Sequence, residues 1–120
     1  MEPSECAKRV YIAGPIKGME NGNRESFLTY ARELARLGYT PVNPWDIKPS
    51  HDGPCIGLEV EHGDGTHRYG CYLRADIEVL MHCDAFTLMP GWTNSVGATT
   101  EMKVALAIGI PRIVLRMESE

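Results

Sequence analysis

The chain has 120 residues, is 43% hydrophobic and 23% charged, and carries a formal net charge of −4. That length supports one α/β core and not two, and the acidic balance argues against a nucleic-acid partner, which needs a basic face. No apolar run reaches the length of a membrane span. The polar, acidic stretch 1–6 lacks the features of a secretory leader, so a cytoplasmic protein with free thiols at Cys6, Cys55, Cys71 and Cys83 is expected.

Residues 8–13 are short and β-branched and read as a first strand, ending at Gly14 and Pro15. A loop with Gly14, Gly18 and Gly22 follows, and Asn23 suits a helix N-cap. Phe27, Tyr30, Ala31, Leu34 and Leu37 then recur at helical spacing, with Gly38 as the stop signal. Residues 39–42 read as a second strand, which Pro41 assigns to the sheet edge. The stretch 43–67 holds three prolines and four glycines without a sustained period. A loop this long in a small domain is usually functional. Residues 45–67 are therefore expected to form a flap over the active site, with a helical turn at 56–59. Residues 69–82 predict a second helix with Leu73, Ile77, Leu80 and Met81 on its apolar face. A strand at 85–89, a loop at 90–101, a helix from 102 to 108 and a strand at 112–115 complete the order.

Strands separated by helical crossovers run parallel. The expected fold class is thus α/β, a single domain spanning 1–120. Its sheet is open, doubly wound and parallel, flavodoxin- or Rossmann-like, with four to five strands and helices on both faces. Ligands of such sheets bind beyond the carboxyl ends of the strands, where the strand order reverses. Two loops there carry chemistry. Residues 14–22 offer backbone N–H groups, and 90–101 combine glycines, hydroxyl side chains and Glu101 ahead of a helix N-terminus, a setting that suits an anion. Glu101 is expected in about the first turn of that helix, held in its ionised form.

Three pieces carry a family resemblance: YIAGPIKG at 11–18, Arg74-Ala75-Asp76 followed by Cys83-Asp84, and Ser95-x-Gly97-x-x-x-Glu101. Together they resemble the nucleoside 2-deoxyribosyltransferase superfamily, in particular its nucleoside 5′-monophosphate N-glycosidase branch and the small phage and bacterial proteins with a YIAGPI…NP…PGW…SxGAxxE pattern. The resemblance runs from Tyr11 to Pro111 and is least informative over 45–67. It implies a hydrolase of the N-glycosidic bond of a (deoxy)ribonucleoside 5′-monophosphate, releasing base and sugar phosphate through a glutamyl-sugar ester. Glu101 matches the nucleophile, Asp76 the second acid, and Tyr11 a tyrosine that orients the nucleophile. Ser95 and Gly97 match the phosphate contacts, with loop-one backbone at Gly14, Ile16 and Lys17, and Lys17 and Arg24 adding charge. Asn43, Trp92 and Asn94 are candidates for the base and sugar pocket. No cofactor or metal is implied, the substrate is a small nucleotide, and a homodimer or larger symmetric homo-oligomer is expected.

Each residue also has a plainer reading. Glu101 would complement a helix dipole, and Asp76 would be solvated or paired with Arg74. Tyr11 would be core with its hydroxyl at the rim, and Ser95 an N-cap. Pro15 departs from the serine of the mammalian monophosphate hydrolases, and proline donates no hydrogen bond. Ser95 stands where base-exchanging transferases carry an acidic residue, which would repel a phosphate. The loop also resembles the PGGxGTxxE loop of phosphoribohydrolases, with Trp92 and Ala98 departing from it. A base-exchanging transferase and a non-catalytic nucleotide-binding or sensing module are the alternatives, and a flavodoxin-like flavin binder is more distant. Cys55, His62, His67 and Cys71 can be drawn as a zinc site, but their spacing fits neither a ribbon nor a finger, so no metal is expected.

Overall fold

In the computed structural model the described residues are 8–52, 54–55 and 67–117. Strand β1 (Arg9–Ala13) is central, with β2 (Thr40–Val42) on one side and β3 (Ala85–Leu88) on the other, all parallel. Val10 faces Pro41 and Ala85 in the ladder, and Tyr11 faces Val42 and Phe86. As its proline predicts, β2 lies at the edge.

Successive strand side chains point to opposite faces, and β1 shows this directly. Val10 and Ile12 join Phe27, Tyr30 and Leu34 of helix α1 (Arg24–Arg36) in one core cluster. Tyr11 and Ala13 join Leu80 of helix α2 (Tyr69–Leu80), and Ala98 and Ala105 of helix α3 (Val96–Ile108), in the other. The sheet is therefore covered by α1 on one face and by α2 and α3 on the other. Both terminal glycines of the helices take the left-handed backbone expected of a C-terminal stop, Gly38 at φ +96° and Gly109 at φ +100°.

The expected fourth strand is reduced to one parallel bridge between Phe86 and Arg112. Pro111 accepts from the Phe86 N–H at 3.0 Å, and the Ile113 N–H donates to the Phe86 carbonyl at 2.7 Å. Pro111 has no N–H, so the ladder cannot extend before Arg112, and no further bridge follows Ile113 among the described residues. Among the described residues the sheet thus has three strands, not four to five. Alternation survives in the side chains, with Ile113, Leu115 and Met117 packed on the α1 face and Val114 exposed.

Two local expectations also change. Asn23 precedes α1 in the left-handed region, at φ +64°, without capping the helix by its side chain. Its amide instead donates to the Pro15 carbonyl at 3.0 Å. Met81 is exposed, and the buried stripe of α2 runs through Tyr72, Asp76 and Leu80. The expected turn at 56–59 and most of the expected flap lie outside the described residues. Residues Pro44–Asp46 form a short 3-10 turn capped by the Asn43 side chain, which accepts from the Trp45 N–H at 3.0 Å. No helix among the described residues is long and apolar enough to cross a membrane.

Candidate active site

The strand order reverses at β1, whose neighbours β2 and β3 lie on opposite sides. The loop after β1 leads to α1 on one face, and the loop after β3 leads to α3 on the other. Their divergence opens a crevice at the carboxyl ends of two adjacent parallel strands, where α/β sheets bind ligands. A cavity of about 300 Å³ lies there.

Both carboxylates of the expected site face it. Glu101 and Asp76 line the cavity, and each is only 6% exposed. The Tyr11 hydroxyl, fully buried at the centre of β1, donates to Glu101 Oε2 at 3.0 Å. The three residues come from different elements, β1, α2 and α3, so only the folded chain assembles them. Asp76 is neither solvated nor spent on Arg74: it sits on the buried stripe of α2, while Arg74 is exposed.

Burial controls their protonation. Desolvation disfavours a charged carboxylate, and it pushes Glu101 up to about 8 against the lowering effect of the Tyr11 hydrogen bond. Asp76 is pushed up to about 9 by desolvation and then by the charge of Glu101. Both carboxyls therefore hold their protons near neutrality, and the Tyr11 hydrogen bond favours the charged form of Glu101 over that of Asp76. This corrects the expectation of a carboxylate held ionised by its helix. Glu101 is the sixth residue of α3, and the first turn holds no acidic residue, so burial outweighs the helix dipole. Tyr11 is raised well above its usual range by burial, then by Glu101 and Asp76, and stays a proton donor.

The phosphate candidates line the same cavity: Gly14, Ile16 and Lys17 from loop one, and Ser95 and Gly97 at the start of α3. Ser95 is the N-cap, its Oγ accepting from the Ala98 N–H at 3.1 Å. The first helical bond of α3 runs from the Thr99 N–H to the Ser95 carbonyl at 2.9 Å. The N–H groups of Val96 and Gly97 precede it and point out of the helix end, as anion-binding N–H groups do. The N-cap and anion-site readings of Ser95 are compatible, because its hydroxyl keeps its own proton to donate.

Loop one is held by close packing. A Cβ on Gly14 would lie 2.9 Å from the Cβ of Met89. The Trp45 indole donates to the Gly22 carbonyl at 3.2 Å. The Arg24 guanidinium stacks over the Trp45 ring, 4.3 Å from its centroid, and does not line the cavity. Its expected role beside a phosphate is therefore replaced by a cation–π contact.

Of the pocket candidates, Asn94 lines the cavity, while Asn43 and Trp92 do not. Asn43 is buried under its own turn, and Trp92 packs against the core cluster of Tyr11 and Phe86. The sequence reading missed Pro44, Tyr69 and Leu73, which also line the cavity. The Tyr69 hydroxyl lies 2.8 Å from where a Cβ on Gly97 would stand, so Gly97 makes room for it. A signal was present. Tyr69, Leu73, Asp76 and Leu80 follow the i, i+4, i+7, i+11 spacing of one helix face, which puts Asp76 on an apolar stripe. A small side recess lined by Trp45, Ile47, Lys48 and Tyr72 also reaches Asp76. The start of the expected flap thus borders the site. Among the described residues, the His and Cys side chains that could hold a metal gather elsewhere, at His51, Cys55, His67 and Cys71.

In overall fold the chain is similar to a conserved protein from Enterococcus faecalis V583 of known crystal structure, with a TM-score of 0.60 and 21% sequence identity. The similarity covers 95% of this chain and 66% of that protein, so the chain spans just under two thirds of its length. No curated protein matches the chain. Residues 8–114 match the family described as a domain of unknown function, DUF4406. The match takes in all three strands, all three helices and both loops of the cavity, and the chain belongs to the DUF4406 family.

Proposed function

We propose that this protein hydrolyses the N-glycosidic bond of a (deoxy)ribonucleoside 5′-monophosphate. The observation that carries the reading is the buried Tyr11–Glu101 hydrogen bond, with Asp76 in the same cavity as the N-terminus of α3. The likeness of YIAGPIKG, Asp76 and Ser95-x-Gly97-x-x-x-Glu101 to the nucleoside 2-deoxyribosyltransferase superfamily supports it independently.

The chemistry follows from the different proton affinities of the two carboxyls. Glu101, oriented by Tyr11, attacks C1′ of the sugar while the C1′–N bond breaks. The bonding pair leaves with the base, and protonated Asp76 gives its proton to it. The positive charge that develops on the sugar favours an anionic Glu101 beneath it. Water then attacks C1′ of the glycosyl ester. Asp76, now ionised, takes its proton, and Glu101 is released with the sugar phosphate. Ser95, the N–H groups of Val96 and Gly97, and Lys17 hold the 5′-phosphate, a set of donors that fits a dianion. Substrate bound this way spans one stretch of α3, with the phosphate at its N-terminus and the anomeric carbon about one turn further on.

The test is base release from a panel of nucleosides and their 5′-monophosphates, followed by chromatography. Release from monophosphates alone is expected, reduced at least about a thousandfold in Glu101→Gln, which keeps the shape but not the nucleophile. Release that needs an added acceptor base would make the protein a transferase. Tight binding with no release would make it a sensor. Full activity in Glu101→Gln would remove the ester from the mechanism.

A further inference from the structure

Outside the cavity, four side chains of metal-ligating type converge. One donor atom from each of His51, Cys55, His67 and Cys71 lies within 4.8 Å of all the others. In sequence they form two His-x-x-x-Cys pairs, one on each side of residues 56–66. We propose that they form a structural zinc site closed by two imidazoles and two thiolates.

The distances suit one ion. Tetrahedral zinc, with bonds of about 2.3 Å to sulfur and about 2.0–2.1 Å to nitrogen, sets neighbouring donors roughly 3.3–3.8 Å apart. His51 Nε2 lies 3.3 Å from Cys71 Sγ and 3.9 Å from Cys55 Sγ, and Cys55 Sγ lies 3.5 Å from His67 Nδ1. The surroundings support the ligands. His51 Nδ1 faces the Asp52 carbonyl at 3.3 Å, which favours the tautomer that leaves Nε2 bare toward the sulfurs. The His67 ring stands edge-on to Tyr72, at 6.1 Å and 86°, and Cys71 is buried in the first turn of α2.

The donor set selects the metal class. Two sulfurs and two ring nitrogens suit zinc and exclude the oxygen-seeking magnesium and calcium. Four protein ligands complete a tetrahedron with no open position, which makes the site structural and not catalytic. Binding releases one proton from each thiol, so two protons leave as one Zn²⁺ enters. The ion ties the chain at 51–55 to the start of α2, the helix that also carries Tyr69, Leu73 and Asp76 of the cavity. Three of these ligands, Cys55, His67 and Cys71, belong to the set whose spacing with His62 fits neither a ribbon nor a finger; the fourth in the cluster is His51. This inference does not depend on the hydrolase reading.

The test uses the full chain, stripped of metal by a chelator in reducing buffer and titrated with Co²⁺, then Zn²⁺. Cobalt should produce a thiolate charge-transfer band and intense tetrahedral d–d bands, saturating at one ion per chain, and one equivalent of zinc should bleach them. Zinc should raise Tm by roughly 5 °C or more. Cys55→Ser and His51→Ala should lose the tetrahedral spectrum with unchanged circular dichroism, whereas His82→Ala, at an exposed position, should keep it. A weak octahedral spectrum in the unaltered chain would overturn the proposal, whatever the variants do. So would a full tetrahedral spectrum in both ligand variants.

Discussion

At the scale of single residues, two carboxyls of the same chemistry are separated by their surroundings. Glu101 has a hydrogen-bond donor in Tyr11, which stabilises its charged form. Asp76 feels the charge of Glu101 on top of its own desolvation. Paired groups whose proton affinities are pushed apart in this way divide into a base or nucleophile and an acid. The proposed hydrolysis needs Glu101 ionised and Asp76 protonated, so kcat/KM should rise with pH through about 8 and fall again through about 9. Asp76→Asn keeps the size of the side chain and removes its proton. It should lower the rate roughly a hundredfold to a thousandfold and abolish the alkaline fall, while the rise governed by Glu101 remains. An alkaline limb that persisted in Asp76→Asn would assign it to another group. None of this protonation behaviour was legible in the sequence. Spacing placed Glu101 near a helix start, where a dipole argument predicts an ionised carboxylate. The resemblance already set Tyr11 beside Glu101, but the depth of burial that governs both carboxyls exists only in the fold.

At the scale of elements, the loop after β1 shows how backbone and packing jointly hold a site. Gly22 has φ +62°, a conformation that L side chains rarely adopt, and a Cβ there would collide with the Trp45 ring. The same residue accepts the Trp45 indole hydrogen bond. Gly22→Ala should therefore destabilise the fold by about 1–3 kcal/mol, from backbone strain and the displaced ring. Urea unfolding would measure it, and a change below about 0.5 kcal/mol would show that Trp45 moves aside freely. The positions of helices, strands and loops were largely legible, because glycine stops, helical spacing and β-branched runs are local signals. Three misreadings share one cause. Met81, Asn23 and residues 112–115 each satisfy a local pattern, but the outcome depends on what lies opposite. Met81 stays exposed, Asn23 stands at the N-cap position but gives its side-chain amide to the Pro15 carbonyl, and residues 112–115 keep one bridge, to Phe86.

At the scale of the whole molecule, the buried acid pair sets a condition on stability. Both carboxyls keep their protons in the native state far above the range in which an unfolded chain releases them. Between about pH 4 and the native values near 8 and 9, the native state therefore binds more protons than the unfolded state. Stability then falls as pH rises, because the slope follows protons bound unfolded minus protons bound native. Their contribution is fully present below about pH 4 and lost progressively as pH approaches 9. The double variant Glu101→Gln/Asp76→Asn retains the shape of both side chains and an acceptor for Tyr11, and it titrates at neither position. It should be more stable than the unaltered chain at about pH 8, with the gap closing toward about pH 5. Exposed groups titrate alike in both proteins and cancel from the difference. Thermal or urea unfolding of the pair across that range measures it. Parallel curves would mean that the pair ionises normally in the native state, and the division of acid from nucleophile would fall with it. A converging gap would show that the fold sacrifices stability to hold two carboxyls in one cavity, the trade expected where geometry serves chemistry and not the core.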